Sequence, residues 1–243
     1  MVRLTDTIKH LIIINAIVFF GLQFTQVDLT NILALHFPKN SHFGFWQYAT
    51  HMFMHGSFAH ILFNMYGLWA FGTPLEQMWG KKKFIFFYFS AGIGAGLIYT
   101  LVNYYQFNGL YDIFINLGLD NSEIIAILEN GSTSDPRVVN SISQDQFNKI
   151  VRLYNTPAVG ASGAIYGVLV AFGLYFKEAK LALIFLPIPI AAKYFIPALI
   201  AFDLFFGMTR YSVGSIAHFA HIGGALIGFI IAWYWKKNQF KVY

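Results

Sequence analysis

The sequence has no cysteine, and only 11% of its 243 residues are charged. Without cysteine the protein has no disulfides, no thiolate metal site and no cysteine nucleophile. Soluble domains carry about 25% charged residues, so this chain lacks the ions that keep a soluble surface hydrated. Hydrophobic residues make up 57% of the sequence, and the mean hydropathy is +0.55. The composition therefore predicts a membrane protein.

Six apolar segments approach the roughly 20 residues that a membrane-spanning helix needs. These predicted spans are residues 8–25, 58–76, 84–105, 157–176, 194–210 and 215–235. A further apolar stretch, residues 181–192, contains Pro187 and Pro189, which are incompatible with the interior of an ordinary helix. We expect this stretch to be a connector against the membrane face. No small-residue cleavage site follows the N-terminal apolar run, so the first segment is interpreted as a retained span.

The positions of Lys and Arg predict that both termini are cytoplasmic. With six spans, eleven of the 16 basic residues fall on the side of the membrane that holds both chain ends. The outer side then receives two long segments, residues 26–57 and 106–156. The second segment contains two predicted helices, which Asp120 and Ser143 cap. We expect one membrane domain, residues 1–243, with 106–156 as an extracytoplasmic insertion, in a bacterial inner membrane.

Polar residues inside membrane spans are costly and are therefore candidates for function. His60 and Asn64, four residues apart, share one face of the second predicted span. Ser162 lies near the start of the fourth span, and His221 lies near the start of the sixth. For each residue alone, packing or hydrogen bonding within the helix bundle is the commoner explanation. Their shared depth indicates chemistry, because a histidine activates a serine nucleophile and paired donors stabilise an oxyanion.

Small residues near these positions predict close helix packing. Gly163 and Gly167 in the fourth span, and Gly224 and Gly228 in the sixth, have the spacing at which membrane helices approach each other closely. A helix packed tightly at Gly224 would bring His221 to a serine on its neighbour.

Three separated motifs resemble those of the rhomboid family of intramembrane serine proteases. GASGAIY at 160–166 is similar to the family pattern Gly-x-Ser-Gly-x-x-Tyr, and HILFN at 60–64 is similar to His-x-x-x-Asn. AHIGG followed by Gly228 is similar to His-x-x-Gly-x-x-x-Gly, and Glu76-x-x-x-Gly80 resembles a further family feature. The resemblance extends over all six predicted spans in order. It implies an all-α membrane protein with a six-transmembrane-helix, rhomboid-like bundle.

The resemblance implies a Ser–His dyad that works without a cofactor or a metal. Ser162 would be the nucleophile, and His221 would be the general base and then the general acid. His60, Asn64 and the backbone N–H of Ser162 would form the oxyanion hole. Tyr166 would stack on the His221 ring. Gly163, Gly224 and Gly228 would serve in helix packing. No aspartate completes a triad in this mapping, and His218 has no catalytic role.

The implied activity is the hydrolysis of peptide bonds in transmembrane or membrane-proximal segments of membrane proteins, near the outer leaflet. The implied partners are these substrates and the lipid bilayer, and no basic cluster indicates nucleic acid. The chain departs from the family pattern in two places. Gln47 follows Trp46 where family members often have arginine, so any stabilising role of that arginine is absent. The 106–156 connection is also longer than the common form.

Four other interpretations compete with this one. A catalytically inactive relative that binds transmembrane helices would typically lack the serine or the histidine. A metal site at His51, His55 and His60 lacks both an HExxH motif and a nearby carboxylate. A soluble-type hydrolase needs Gly-x-Ser-x-Gly after a strand, which this sequence does not provide. A transporter needs more than Asp203, the one acid well inside a span, which we expect to be hydrogen-bonded within the bundle.

Overall fold

The protein folds mainly into helices, with a small β-hairpin. The computed structural model describes residues 4–25, 28–183, 186–208 and 218–239. The helices are α1 Asp6–Thr25, α2 Thr30–Leu33, α3 Gln47–Thr50, α4 Phe58–Gly67, α5 Thr73–Trp79, α6 Lys81–Asn116, α7 Asn121–Asn130, α8 Pro136–Val139, α9 Gln144–Asn155, α10 Ser162–Tyr175, α11 Ala192–Met208 and α12 His218–Asn238. The strands are β1 Lys180–Leu183 and β2 Leu186–Ala191.

Three helices of the described chain, α1, α6 and α12, are long and apolar enough to cross a membrane. Helix α10 is apolar but has 14 residues, and α11 has 17. The second predicted span is divided among α4, a π-helical turn at Leu68–Gly72 and α5. Each of the six predicted segments thus contains helix, while the number of membrane crossings stays a prediction. The predicted spans also included residues 209–210 and 215–217, which lie outside the described residues.

Both ends of the α4–α5 segment are fixed by hydrogen bonds at helix termini. The side chain of Ser57 accepts the backbone N–H of His60 at 3.2 Å, which starts α4 one turn before that histidine. At the other end, Glu76 accepts the backbone N–H groups of Thr7 and Ile8, both at 3.1 Å. These N–H groups belong to the first turn of α1, where an acidic partner is favoured. Glu76 therefore ties the start of α1 to the end of the second span.

Helix α6 is longer than a bilayer requires. Its 36 residues span about 54 Å, against roughly 30 Å for the hydrocarbon core. The third span was expected to end at residue 105, but the helix continues to Asn116. Phe107, Tyr111 and Phe114 recur at helical spacing and are buried against the segment that follows. The predicted insertion therefore begins inside this helix.

The appendage, which we define as residues 117–156, packs on the C-terminal part of α6 through a hydrophobic cluster of its own. Helix α7 begins with a capping box at Asp120 and ends at Gly131, whose φ of 67° is left-handed. Helix α9 begins with a capping box at Ser143. The two helix starts predicted in this segment are confirmed.

The stretch 181–192, expected to be a connector against the membrane face, lies mostly in the β-hairpin. Its strands are antiparallel, and Lys180 pairs with Ala191. The expectation of an all-α fold is therefore wrong at this point. Pro187 and Pro189 exclude a helix, as predicted, but they fit strand β2. Proline has no backbone N–H to donate. In a two-stranded sheet one edge of each strand has no partner strand, so a proline whose nitrogen faces that edge removes no hydrogen bond of the sheet.

The centre of the molecule is the contact of α10 with α6 and α12. A Cβ added at Gly163 would lie 2.5 Å from the Cβ of Ala95, and one added at Gly167 would lie 2.7 Å from the Cβ of Ala91. Both distances are too short for a real side chain, so α10 lies directly on α6. This close packing gives the start of α10 a fixed position in the bundle.

Candidate active site

Ser162 is the first residue of α10, and the preceding chain holds it in place. Ala158 and Leu35 form an isolated antiparallel bridge with two N–H···O bonds of 2.9 Å. Gly160 has a φ of 121° and donates its N–H to the carbonyl oxygen of His51 at 2.9 Å. Within the described chain, no side chain caps α10. The first N–H groups of the helix and its positive end are therefore open beside the Ser162 side chain.

His221 reaches Ser162 from the facing helix, α12. Its Nε2 lies 2.9 Å from Ser162 Oγ, which is a hydrogen-bond distance. Tyr166, one turn after Ser162, stacks on the imidazole with ring centroids 4.2 Å apart and 10° between the planes. The His221 side chain is 12% exposed, so the pair is sheltered but accessible. The structure thus brings together three residues that the sequence analysis singled out.

Direct backbone contact between α10 and α12 sets the distance between Ser162 and His221. Gly163 follows the serine, and Gly224 lies three residues after the histidine. A Cβ added at Gly224 would come 1.8 Å from the carbonyl oxygen of Gly163, so only glycine fits there. Gly228 repeats the contact one turn later, where a Cβ would come 2.4 Å from a backbone carbon of α10.

His60 and Asn64 face the backbone that leads into Ser162. A Cβ added at Gly160 would lie 2.7 Å from His60 Nε2 and 3.6 Å from Asn64 Nδ2. Asn64 is 6% exposed, and its Nδ2 has no hydrogen-bond partner among the residues described. Buried polar groups without partners are uncommon, so this donor is free for an acceptor that enters the site. His55 packs edge-on against His60, with ring centroids 5.0 Å apart.

An aspartate stands beside the Ser–His pair, contrary to the expectation from the sequence. Asp203, on α11, is 3% exposed. Its Oδ1 lies 3.2 Å from His221 Nδ1 and 2.6 Å from His218 Nδ1. The prediction that Asp203 is hydrogen-bonded within the bundle is confirmed, whereas the expectation that no aspartate joins the pair is wrong. Spacing places the two histidines on one helix face, but it does not connect Asp203 with them.

The side chains of Asp203, His218 and His221 form a group that could hold a metal ion, with ligand atoms within 4.8 Å of one another. Around a tetrahedral zinc with bonds of about 2.0–2.1 Å, ligand atoms lie about 3.3 Å apart. The 2.6 Å between Asp203 and His218 is shorter than this and is a hydrogen-bond distance. These contacts therefore describe a hydrogen-bonded network. His51, considered above as a ligand, instead lies with Nδ1 2.7 Å from the carbonyl oxygen of Gln47.

Gln47 is an important residue whose role the sequence analysis missed. It is 0% exposed. Its Oε1 accepts the backbone N–H of His36 at 3.0 Å, and its Nε2 donates to the carbonyl oxygen of His42 at 2.7 Å. Burial lowers the pKa of the neighbouring His51 to about 4, so that ring is neutral at pH 7. Gln47 therefore stabilises the loop through neutral hydrogen bonds, at the position where the resemblance described above implies arginine.

Comparison with known proteins agrees with the motifs. A profile of the Rhomboid domain matches residues 42–118 and 137–238, which is more than half of the chain. The chain is 28% identical to Rhomboid protein 1, mitochondrial, of Saccharomyces cerevisiae over 186 residues, which cover 76% of this chain and 40% of that protein. It is 27% identical to Rhomboid protease AarA of Providencia stuartii over 222 residues, which cover 89% of this chain and 60% of that protein.

A mitochondrial human protein is also similar. The chain is 28% identical to Presenilin-associated rhomboid-like protein, mitochondrial, of Homo sapiens over 196 residues, which cover 77% of this chain and 38% of that protein. The chain thus spans between 38% and 60% of the length of these three relatives. The unmatched residues between the two parts of the profile lie in the appendage. The chain belongs to the rhomboid family, which includes serine intramembrane proteases, and it is an integral membrane protein.

Proposed function

We propose that this member of the rhomboid family is an intramembrane serine endopeptidase that cleaves transmembrane or membrane-proximal segments of membrane proteins near the outer leaflet. The observation that carries the proposal is the 2.9 Å contact between Ser162 Oγ and His221 Nε2. A histidine in this position activates a serine by taking its proton. The similarity to AarA, which is named a protease, supports the same activity.

The first half of the proposed reaction forms an ester on Ser162. The serine oxygen attacks the carbonyl carbon of the scissile peptide bond while its proton passes to Nε2 of His221. The carbonyl oxygen becomes a negatively charged oxyanion. The C–N bond then breaks as the intermediate collapses, and His221 gives the proton to the departing amine. One fragment leaves with a new amino terminus, and the other stays bound to Ser162 through its carbonyl carbon.

The second half of the reaction releases the bound fragment. A water molecule gives a proton to His221 while its oxygen attacks the ester carbon. When this second intermediate breaks down, the fragment leaves with a new carboxyl group and the proton returns to the Ser162 oxygen. His221 thus serves as base and as acid in each half, and no cofactor is consumed.

The proposed oxyanion hole consists of the backbone N–H of Ser162 and the side chains of His60 and Asn64. The buried, unpartnered Nδ2 of Asn64 supports this role, because a substrate oxyanion would supply the missing acceptor. His60 can donate from Nε2 when its ring is neutral and protonated on that atom. Loss of one such donor typically lowers kcat by about 10²–10³-fold. We expect that loss for Asn64→Ala.

The short length of α10 supports a site below the membrane surface. Fourteen residues span about 21 Å, which is less than the roughly 30 Å of the hydrocarbon core. With both termini in the cytoplasm, as predicted, Ser162 would open toward the outer side, and water would enter there. We include in the proposal a single membrane domain that carries the appendage outside, located in a bacterial inner membrane. By family resemblance, we expect substrates with small residues before the scissile bond and with helix-destabilising sequences.

Substrate cleavage by detergent-purified protein tests the proposal. A labelled transmembrane substrate should be cut by the wild type and not by Ser162→Ala. Ser90→Ala, which removes a serine from membrane helix α6, is the matched control and should cleave as the wild type does. A serine-reactive fluorophosphonate should label the wild type, and labelling should vanish in both Ser162→Ala and His221→Ala. Equal cleavage by wild type and Ser162→Ala would refute the dyad.

The alternative function is that of an inactive relative that binds transmembrane helices. The contact between Ser162 and His221 argues against it, because a pure binding protein has no need to keep these side chains at hydrogen-bond distance. A wild type that binds helical membrane proteins but neither cleaves nor labels would decide in favour of this alternative.

A further inference from the structure

The buried carboxylate of Asp203 lies at the end of the His221 ring opposite Ser162. The ring contacts Ser162 through Nε2 at 2.9 Å and Asp203 through Nδ1 at 3.2 Å. The same Asp203 oxygen lies 2.6 Å from His218 Nδ1. Tyr166, which stacks on His221, also interacts with this carboxylate. Three side chains from two helices, Ser162, Tyr166 and Asp203, thus contact the imidazole that the proposed reaction uses, and His218 contacts Asp203.

We propose that Asp203 is a positioning residue that holds His221 in the one tautomer able to act as a base, an inference that rests on the proposed function. A carboxylate accepts hydrogen bonds and donates none, so the proton of neutral His221 must be on Nδ1. Nε2 then carries the lone pair and faces the hydroxyl of Ser162. With the proton on Nε2, the ring would donate to the serine and could not take its proton.

Asp203 also stabilises the charge that develops on His221. When the serine proton reaches Nε2, the ring becomes an imidazolium with a proton on each nitrogen. A carboxylate oxygen 3.2 Å from Nδ1 attracts this charge, and burial in the bundle strengthens the attraction. Asp203 keeps its own charge throughout, and no proton moves to it. It acts through His221 and does not touch the substrate.

His218 holds the carboxylate in place. His218 is 5% exposed and lies one turn before His221 on α12. Nδ1 of each ring lies at hydrogen-bond distance from the same Asp203 oxygen, and because a carboxylate only accepts, both rings donate to it. A buried carboxylate is costly unless it accepts hydrogen bonds, and His218 supplies the shorter of the two contacts. Because His218 does not contact Ser162, its removal should affect the reaction less than removal of the charge on Asp203.

The first test separates positioning from folding through kcat and KM. For Asp203→Asn we expect kcat to fall on the order of 10²-fold, with KM within about threefold of the wild type. The exposed Asp112→Asn is the matched loss of a carboxylate and should change neither constant. His218→Asn, which retains an N–H donor, should lose less kcat than Asp203→Asn. An unchanged kcat in Asp203→Asn, or a greater loss in His218→Asn, would overturn the proposal.

The second test uses the wild-type protein, so it does not depend on the folding of a variant. In protein labelled with 15N-histidine, the signals of His221 are identified by their loss in His221→Gln. At neutral pH we expect the proton on Nδ1 and a bare Nε2, and the reverse tautomer would overturn the proposal. If the wild type neither cleaves nor labels, the proposed function fails. If the wild type cleaves and Asp203→Asn cleaves equally well, the positioning role alone fails.

Discussion

Replacing Gly224 with alanine tests whether backbone contact between α10 and α12 holds the proposed catalytic pair together. The added Cβ would lie 1.8 Å from the carbonyl oxygen of Gly163 and 2.6 Å from its carbonyl carbon. An ordinary van der Waals contact begins at 3.4 Å. The two helices would therefore have to separate by roughly 1.5 Å at this point. No side chain takes part in the contact, so a change of rotamer cannot relieve it.

The separation would act directly on the contact between Ser162 and His221. These residues lie one and three positions from the two glycines, and their 2.9 Å hydrogen bond would lengthen toward roughly 4.4 Å if the full shift reached it. A misplacement of about 1 Å can cost about 10²-fold in rate, so we expect at least that loss in kcat/KM. Overpacking of a core typically costs about 1–3 kcal/mol, which corresponds to a fall in Tm of about 2–12 °C.

Cleavage of the labelled transmembrane substrate in detergent, with a thermal unfolding curve on the same sample, measures both effects. Gly109→Ala is the control, since a Cβ added at this exposed position of α6 would have no described atom within 4 Å apart from its chain neighbours and the nearby backbone of its own helix. That change should leave cleavage unaltered and stabilise the helix by about 0.5–1 kcal/mol. If Gly224→Ala cleaves within about threefold of the wild type, the reasoning about backbone contact is refuted.

Three further predictions concern residues outside the proposed catalytic pair. Glu76→Gln weakens the charged cap on α1, so it should lower the free energy of unfolding by about 1–2 kcal/mol and leave kcat unchanged. The control is Glu178→Gln, which breaks an exposed ion pair and should lower Tm little. Gln47→Ala leaves buried backbone groups unpaired and should cost about 1–3 kcal/mol, so a Tm equal to that of the wild type would contradict the role assigned to it. Burial lowers the pKa of His51 from 6.5 to about 4. Between these two pH values His51 is protonated in the unfolded chain but neutral in the folded protein. The free energy of unfolding should therefore fall as the pH drops from 6.5 toward 4, by at most about 1.4 kcal/mol per pH unit. Unfolding curves recorded across this pH range should show a smaller fall for His51→Asn. An equal fall in the two proteins would refute this assignment.

The sequence was informative where local spacing carries the information. The motifs around Ser162 and His221 indicated two side chains that the fold brings into contact, and their flanking glycines indicated how closely the helices approach. Asp203 was not connected with this pair, because it lies on a third helix. Periodicity reports which residues share one helix face, but the crossing of two helices depends on packing along their whole length.

The end of α6 shows a second limit of sequence reasoning. The apolar run that the sequence shows ends, by prediction, at residue 105. The helix continues because Phe107 and Phe114 meet a hydrophobic partner, the appendage, that lies later in the chain. Hydropathy identifies the part of a helix that favours lipid, but tertiary packing decides how far that helix extends beyond it.

The π turn at Leu68–Gly72 sets the rotational phase between the two ends of the second span. On one side of the turn, His60 and Asn64 face Gly160, and on the other side Glu76 faces the start of α1. Deleting one residue would convert the turn to ordinary helix and rotate one end against the other by about 100°. Either His60 and Asn64, or Glu76, would then point away from its partner. The number of residues in this turn is therefore as constrained as the identity of the residues that it orients.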